Sequence, residues 1–215
     1  MRNKTLPIIL IVALCCLILS IMLPRARAAT HQTGGIVRIT GADGTTTIGN
    51  GVVTLNNTVV TTKDVITAAG GAEKTIVYLN GQDNNTSRFT GMSQMDIDGS
   101  GLVTLYVNKN ASGKTIGDAA KDQLTPLTPG SRVSTGNSLT LIGFPKDSTP
   151  SLKEVKTTVQ SKTKNTLTFN PTGDEFPPGT PLFDGQGMVN ALTKGDNTAV
   201  IIKRTDYVKI YDATK

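Results

Sequence analysis

The stretch Gly49-Asn50-Gly51-Val52-Val53-Thr54-Leu55-Asn56-Asn57-Thr58-Val59-Val60-Thr61-Thr62-Lys63-Asp64-Val65-Ile66 decides the fold. Two β-branched runs, Val52-Val53 and Val59-Val60, flank Asn56-Asn57, a pair whose short polar side chains tolerate the left-handed backbone of a tight turn. The stretch reads as strand, turn, strand, with a sharp exit at Asp64. The same grammar continues on both sides: short β-branched runs broken by Gly, Asn, Asp and Pro, with no helical periodicity of length between residues 34 and 203. Strands are predicted at 36–40, 51–55, 58–62, 75–80, 88–92 and 101–107, and again at 138–142, 153–162, 166–170, 180–183, 187–193 and 199–203. A polar, Gly/Pro-rich connector separates the two series. Six and six strands predict an all-β chain of two packed antiparallel six-stranded β-barrels, with a single sandwich as runner-up. Thr205 as a cap, followed by Val208 and Tyr211, predicts a short C-terminal helix. The expected division is an N-terminal barrel over 34–110, a connector over 111–132, and a C-terminal barrel with its closing helix over 133–215.

The N-terminal segment is of another kind. Basic residues precede an apolar run from Leu6 to Leu23, and Ala26-Arg27-Ala28 supplies a small-x-small cleavage site, so residues 1–28 read as a secretory signal. The run is nearly long enough to span a bilayer, which leaves an uncleaved signal anchor as the alternative. The expected location is secreted, or membrane-anchored and facing outside. Four basic residues (Arg2, Lys4, Arg25, Arg27) and no acidic ones lie in this segment, so its removal lowers the formal net charge from +6 to +2. No Lys/Arg cluster then remains to suggest nucleic acid. Both cysteines, Cys15 and Cys16, also lie there, leaving no disulfide and no thiol nucleophile in the rest of the chain.

A single histidine, His31, precedes the first strand and is expected to be a solvent-exposed residue of a frayed terminus. One imidazole cannot supply a His-ligated zinc or copper site, and no metal or other cofactor is expected. Asp96-Ile97-Asp98-Gly99-Ser100-Gly101 matches the opening of a calcium loop, but the twelfth position is Val107 where a bidentate acid is needed, so a polar turn is expected. Asp96/Asp98 and Asp174/Glu175 lack aromatic platforms for a sugar and read as solvated turn acids. Gly41-Ala42-Asp43-Gly44 and Gly70-Gly71 read as turns without phosphate-binding chemistry. Asn56, Asn84, Asn85 and Asn110 each open an N-x-S/T triplet.

Five stretches in order resemble secreted trypsin-like (chymotrypsin-fold) peptidases of the bacterial glutamyl-endopeptidase and HtrA kind. The opening hairpin is similar to the family's G-x-G-V-(turn)-V-V-T-N-x-H-V. Gly101-Leu102-Val103-Thr104-Leu105-Tyr106-Val107 is similar to D-[IL]-A-L-L-K-[VL], and Ser138 through Pro145 to the strand ending in G-[YN]-P. Phe176-Pro177-Pro178-Gly179-Thr180-Pro181-Leu182-Phe183, with Gly185 through Ala191, resembles G-N-S-G-[SG]-P-[LV]-F and the strand after it. Thr205-Asp206-Tyr207-Val208-Lys209 resembles the closing segment. The resemblance covers residues 47–212. It puts Asp64 at the histidine position, Gly101 at the aspartate position and Pro178 at the serine position.

Those three residues cannot perform the family's chemistry. An ordinary carboxylate with a pKa near ~4 is not an imidazole base. Gly101 has no side chain to orient one. Pro178 has neither hydroxyl nor backbone N–H, and loss of one oxyanion donor alone costs on the order of 2.7–4 kcal/mol. The preceding residue, Pro177, is also a proline, and Phe176 replaces the glycine whose flexibility shapes that hole. The resemblance therefore implies a non-catalytic member, a secreted pseudoprotease that binds a peptide or protein through a cleft rimmed by Asp64, Pro178, Gly179 and Thr180. A structural or adhesive exported β domain is the alternative, and an active serine hydrolase is a second, disfavoured by the missing triad.

Overall fold

The computed structural model describes residues 31–97, 99–120, 124–146, 151–172 and 176–212. The expected signal (1–28) falls outside them, as do Asp98, Asp174 and Glu175. Six strands close the first barrel: β1 (Ile36–Thr40), β2 (Thr47–Leu55), β3 (Thr58–Thr62), β4 (Ile76–Leu79), β5 (Arg88–Ile97) and β6 (Leu102–Val107), in the order β1-β2-β3-β6-β5-β4. The second contains β7 (Ser138–Gly143), β8 (Lys153–Lys162), β9 (Thr166–Phe169), β10 (Pro181–Phe183), β11 (Val189–Gly195) and β12 (Thr198–Ile201). Its order, β7-β8-β9-β12-β11-β10, repeats that of the first, and all its pairs are antiparallel, as are those of the first. The two-barrel expectation holds and the single sandwich does not.

Paired valines explain why the opening hairpin is apolar on both faces. Val52 lies opposite Val60 and Val53 opposite Val59. Val53 and Val59 point into the first barrel with Val37, Ile39, Phe89, Val103 and Leu105. Val52 and Val60 point outward, but into a cluster shared with Ile142, Phe144, Phe183, Leu192 and Val200 of the second barrel. A strand buried on both sides loses the polar alternation of a half-exposed one. Asn56, at the hairpin tip, takes the left-handed backbone that the turn demands, with φ 24°. The second barrel has its own interior around Leu139, Leu141, Val159, Phe169, Leu182 and Ala191.

Among the described residues three α-helices accompany the barrels: α1 (Lys63–Ala69), α2 (Ile116–Ala120) and α3 (Arg204–Asp212). The last was expected one residue later. The first two were not, because seven and five residues are too short for a periodic signal. What reads as a sharp exit at Asp64 is the first turn of α1, where a carboxylate is favoured by the helix dipole. Val65, Ile66 and Ala69 are its buried face, and Gly70 ends it in the left-handed region with φ 83°. In α3, Ile210 enters the seam between the barrels, with Tyr207 and Tyr211 against the same cluster. Burial pushes the Tyr211 hydroxyl up to about 12, assisted by Tyr207 beside it. Among the described residues, no helix is long and apolar enough to cross a membrane.

Phe144 joins the barrels from the second side. It is 1% exposed, and its ring fills the space where a Cβ on Gly81 of the first barrel would stand. Phe144→Ala is expected to lower stability by about 3–5 kcal/mol, as measured by chemical denaturation, since neighbours anchored in two barrels cannot close over the cavity.

Candidate functional site

Of the positions singled out by sequence, Pro178, Gly179 and Thr180 meet one buried residue of the first barrel. Asn50 of β2 is fully buried. Its Nδ2 donates to the Phe144 carbonyl at 3.1 Å and to Thr180 Oγ1 at 2.7 Å, while its Oδ1 accepts from Phe144 N at 3.2 Å. Its backbone N–H donates to the Pro178 carbonyl at 2.9 Å, and its own carbonyl accepts from Thr61 Oγ1 at 2.7 Å. All four polar groups of Asn50 are thus satisfied, three of them by the second barrel.

This arrangement fixes the turn that precedes β10. Pro178 is half-buried, and Gly179 and Thr180 are buried. Gly179 has φ +81°, and a Cβ there would collide with the Asn50 carbonyl and lie 2.5 Å from Thr61 Oγ1, so space and conformation both demand glycine. The turn is knitted to β11. Gly179 N donates to the Thr193 carbonyl at 2.7 Å, and Thr180 N to Thr193 Oγ1 at 3.0 Å. The Pro177 carbonyl receives Thr180 Oγ1 at 2.7 Å and Thr193 Oγ1 at 2.9 Å. Pro177 and Pro178 have no N–H at all. From 177 to 180, every backbone N–H is either absent or engaged within the fold, and the Thr180 hydroxyl is inside the protein. Thr180, expected on the rim of a cleft, is instead fully buried, as is Gly179 beside it.

Asp64 and Gly101 are linked through the residue before Asp64. Lys63 N donates to the Gly101 carbonyl at 2.9 Å, which ties the start of α1 to the turn before β6. Gly101 is exposed with φ +82°, and a Cβ there would meet only Val200 Cγ2 at 3.8 Å, so backbone conformation rather than crowding requires glycine. The Asp64 carboxylate is exposed. Asn50, Thr61 and the Thr61-Thr62-Lys63-Asp64 backbone connect it to Pro178, but no hydrogen bond links the Asp64, Gly101 and Pro178 side-chain positions directly. Thr62, in the same run, buries a hydroxyl without a protein partner.

Asp96 lies in a strand and not in the expected polar turn. It belongs to β5, where its carboxylate meets Lys63 Nζ at 2.5 Å and Gln94 Nε2 at 3.0 Å. Ser100 pins the following turn, donating to the Ile97 carbonyl and accepting from Leu102 N. Among the described residues no group of three or more His, Cys, Asp or Glu is placed to hold a metal ion. His31 departs from the expected frayed terminus. Its ring packs 5.1 Å from that of Phe183, and Nδ1 lies 3.5 Å from the Glu154 carboxylate. Thr125 Oγ1 holds the neighbouring Gln32 carbonyl at 2.9 Å, which fixes the segment. Of the four triplet asparagines, Asn56, Asn84 and Asn85 are exposed, whereas Asn110 is buried and donates to the Thr86 carbonyl.

Sequence reasoning missed Asn50, Thr61 and Thr193. A lone Asn between two glycines of a strand was the available signal, and it says nothing of a partner 130 residues away. Neither models of known protein families nor characterised proteins match the chain.

Two outcomes follow. Asn50→Ala would leave the Phe144 N–H and carbonyl buried without partners, at about 1–3 kcal/mol for each group, so urea denaturation is expected to show a loss near the sum. The Lys63 ammonium, by hydrogen bond and then by charge, holds the Asp96 carboxyl below its ordinary range. A folded-state value below the unfolded one means stability that is present above the ordinary range and lost as pH falls through the lowered value. Carboxyl NMR titration should therefore show Asp96 titrating low, and returning upward in Lys63→Ala.

Proposed function

We propose that the chain is an exported, non-catalytic relative of trypsin-like peptidases that acts by binding a peptide or protein. Two closed six-stranded antiparallel barrels are compatible with the chymotrypsin-like fold that the sequence motifs suggest. The observation that carries the reading is the turn at 177–180. Hydrolysis of a peptide bond needs a nucleophile and donors aimed at the developing oxyanion. Here the nucleophile position is Pro178, and the N–H groups of Gly179 and Thr180 are turned toward Thr193. An arrangement so firmly bonded within the fold favours a scaffold over a reaction centre. The exposed Asp64 and half-exposed Pro178 are then left as contact points for a partner, and Gly179 and Thr180 as the residues that hold the contact in place.

Export rests on the sequence of residues 1–28, and an uncleaved anchor would present the same domain outside the cell. The test has two parts. Purified protein is incubated with casein and with a fluorophosphonate probe, and neither cleavage nor labelling is expected. Serine-dependent labelling would overturn the reading. The exported protein is also used as bait in the envelope and secreted fractions, where Asp64→Arg should weaken capture of its partner about tenfold or more, a change of about 1.4 kcal/mol. Capture insensitive to this change would remove the seam from the binding role and favour an adhesive or structural domain.

A further inference from the structure

The longest strand of the first barrel outruns its neighbour. β4 covers β5 only at Arg88, Phe89 and Thr90, and Gly91 N still reaches the Thr75 carbonyl at 2.9 Å. Beyond a bulge between Gly91 and Ser93, β5 pairs with β6 alone. The phase of that pairing follows from the other edge of β6. Val107 N donates to the Asn57 carbonyl and Lys63 N to the Gly101 carbonyl, so odd-numbered residues there turn toward β3 and even-numbered ones toward β5. Met95 and Ile97, opposite Thr104 and Leu102, direct their backbone groups to β6. Gln94 and Asp96 direct theirs outward, where no described residue bonds them. The residues around this edge are open: Met92, Ser93, Gln94 and Asp96 are exposed, and Met95 is half-buried. Met92, at 58%, is the most exposed large apolar side chain among the described residues.

An unpaired edge of this kind is a template for another strand. We propose that it pairs antiparallel with the same edge of a second copy of this chain, about a two-fold axis at Met95. The side chains select both the occupant and the register. Centred on Asp96, the pairing would oppose two carboxylates. Centred on Gln94, it would set the apolar Met92 against the partner's Asp96. Centred on Met95, it sets Gln94 opposite the partner's Asp96, and the reverse, so that an amide donor faces a carboxylate on both sides of the axis. The outward N–H and C=O groups of those two residues then form four backbone hydrogen bonds. Met95 faces the partner's Met95 across a close non-hydrogen-bonded pair, where the Cα atoms stand about 4.5 Å apart. Lys63, already on Asp96, contributes a positive charge to each amide–carboxylate pair. The bulge at Gly91 and the 3-10 turn Ala72–Lys74 beside it limit the paired segment, so the interface is of the small, transient kind. This surface is independent of the binding role proposed for the seam.

Sedimentation velocity on the exported protein, from about 1 μM to about 1 mM, should show a monomer–dimer equilibrium with a dissociation constant above about 10 μM. Gln94→Pro removes an outward N–H that bonds nothing in the monomer, and should weaken the dimer at least about tenfold while leaving the thermal melt of the monomer unchanged. Met95→Cys should oxidise to a disulfide-linked dimer far faster than the exposed control Asn85→Cys, with peptide mapping locating the bridge between the two introduced cysteines. This second readout decides the matter should Gln94→Pro fail to fold. A single monomeric species at every concentration overturns the proposal. Dimerisation at unchanged affinity in Gln94→Pro overturns it too, as does oxidation of Met95→Cys no faster than the control.

Discussion

Asn50 holds one barrel to the other. A carboxamide carries an acceptor oxygen and a two-hydrogen donor on separate atoms, and here it receives the Phe144 N–H while giving to the Phe144 carbonyl and the Thr180 hydroxyl. At full burial each of those groups would otherwise be stranded away from water. Leu would satisfy none of them. Asp would accept but not donate, and would bring a charge into the seam. The surrounding glycines follow from the same contact: Gly179 lets the Asn50 carbonyl approach, and Gly143 leaves room beside the Asn50 side chain, where a Cβ would lie 2.9 Å from Nδ2.

Around this polar pin the seam is hydrocarbon. Ile36, Val52, Val60, Ile97 and Leu102 from the first barrel meet Ile142, Phe144, Phe183, Leu192 and Val200 from the second, with Ile210 of the C-terminal helix. The hydrophobic contact is non-directional and fixes how closely the barrels approach. The Asn50 hydrogen bonds are directional and fix how they are rotated against each other. The turn at 177–180 lies where both constraints act, which accounts for its backbone being so fully engaged.

The strands were legible because the chain announces them with β-branched residues and punctuates them with Asn and Gly. That the Val52-Val53 and Val59-Val60 pairs are buried on both faces is seen only in the structure. The short helices were not legible. Over seven residues, Val65, Ile66 and Ala69 are as compatible with a strand end as with a helix face. β5 reads as ending at Met92 yet runs to Ile97, because its continuation is exposed and polar, held by the ladder to β6 rather than by propensity. The site was legible only as absences: Pro178 and Gly101 can be read as lacking groups. That Thr193 takes up the remaining donors of the turn is a tertiary fact, carried by a residue that looks like any other strand threonine.

The seam also sets an order of events for a chain made from its N-terminus. The first barrel can close its own interior as soon as β6 is available. Its outer face, with Val52, Val60 and Leu102, has no cover until β7, β10 and β11 follow, and Ile210 closes the cluster last. A partner for Asn50 arrives 94 residues after it, and another 130 residues after it. Contacts so distant in sequence form slowly, and the half-made molecule carries an apolar, strand-bearing flank through the interval. Correct pairing of the barrels is therefore a race between completion of the second barrel and association of that bare flank with a neighbour. The buried asparagine works on the side of completion, because a hydrocarbon surface from another molecule cannot answer its hydrogen bonds.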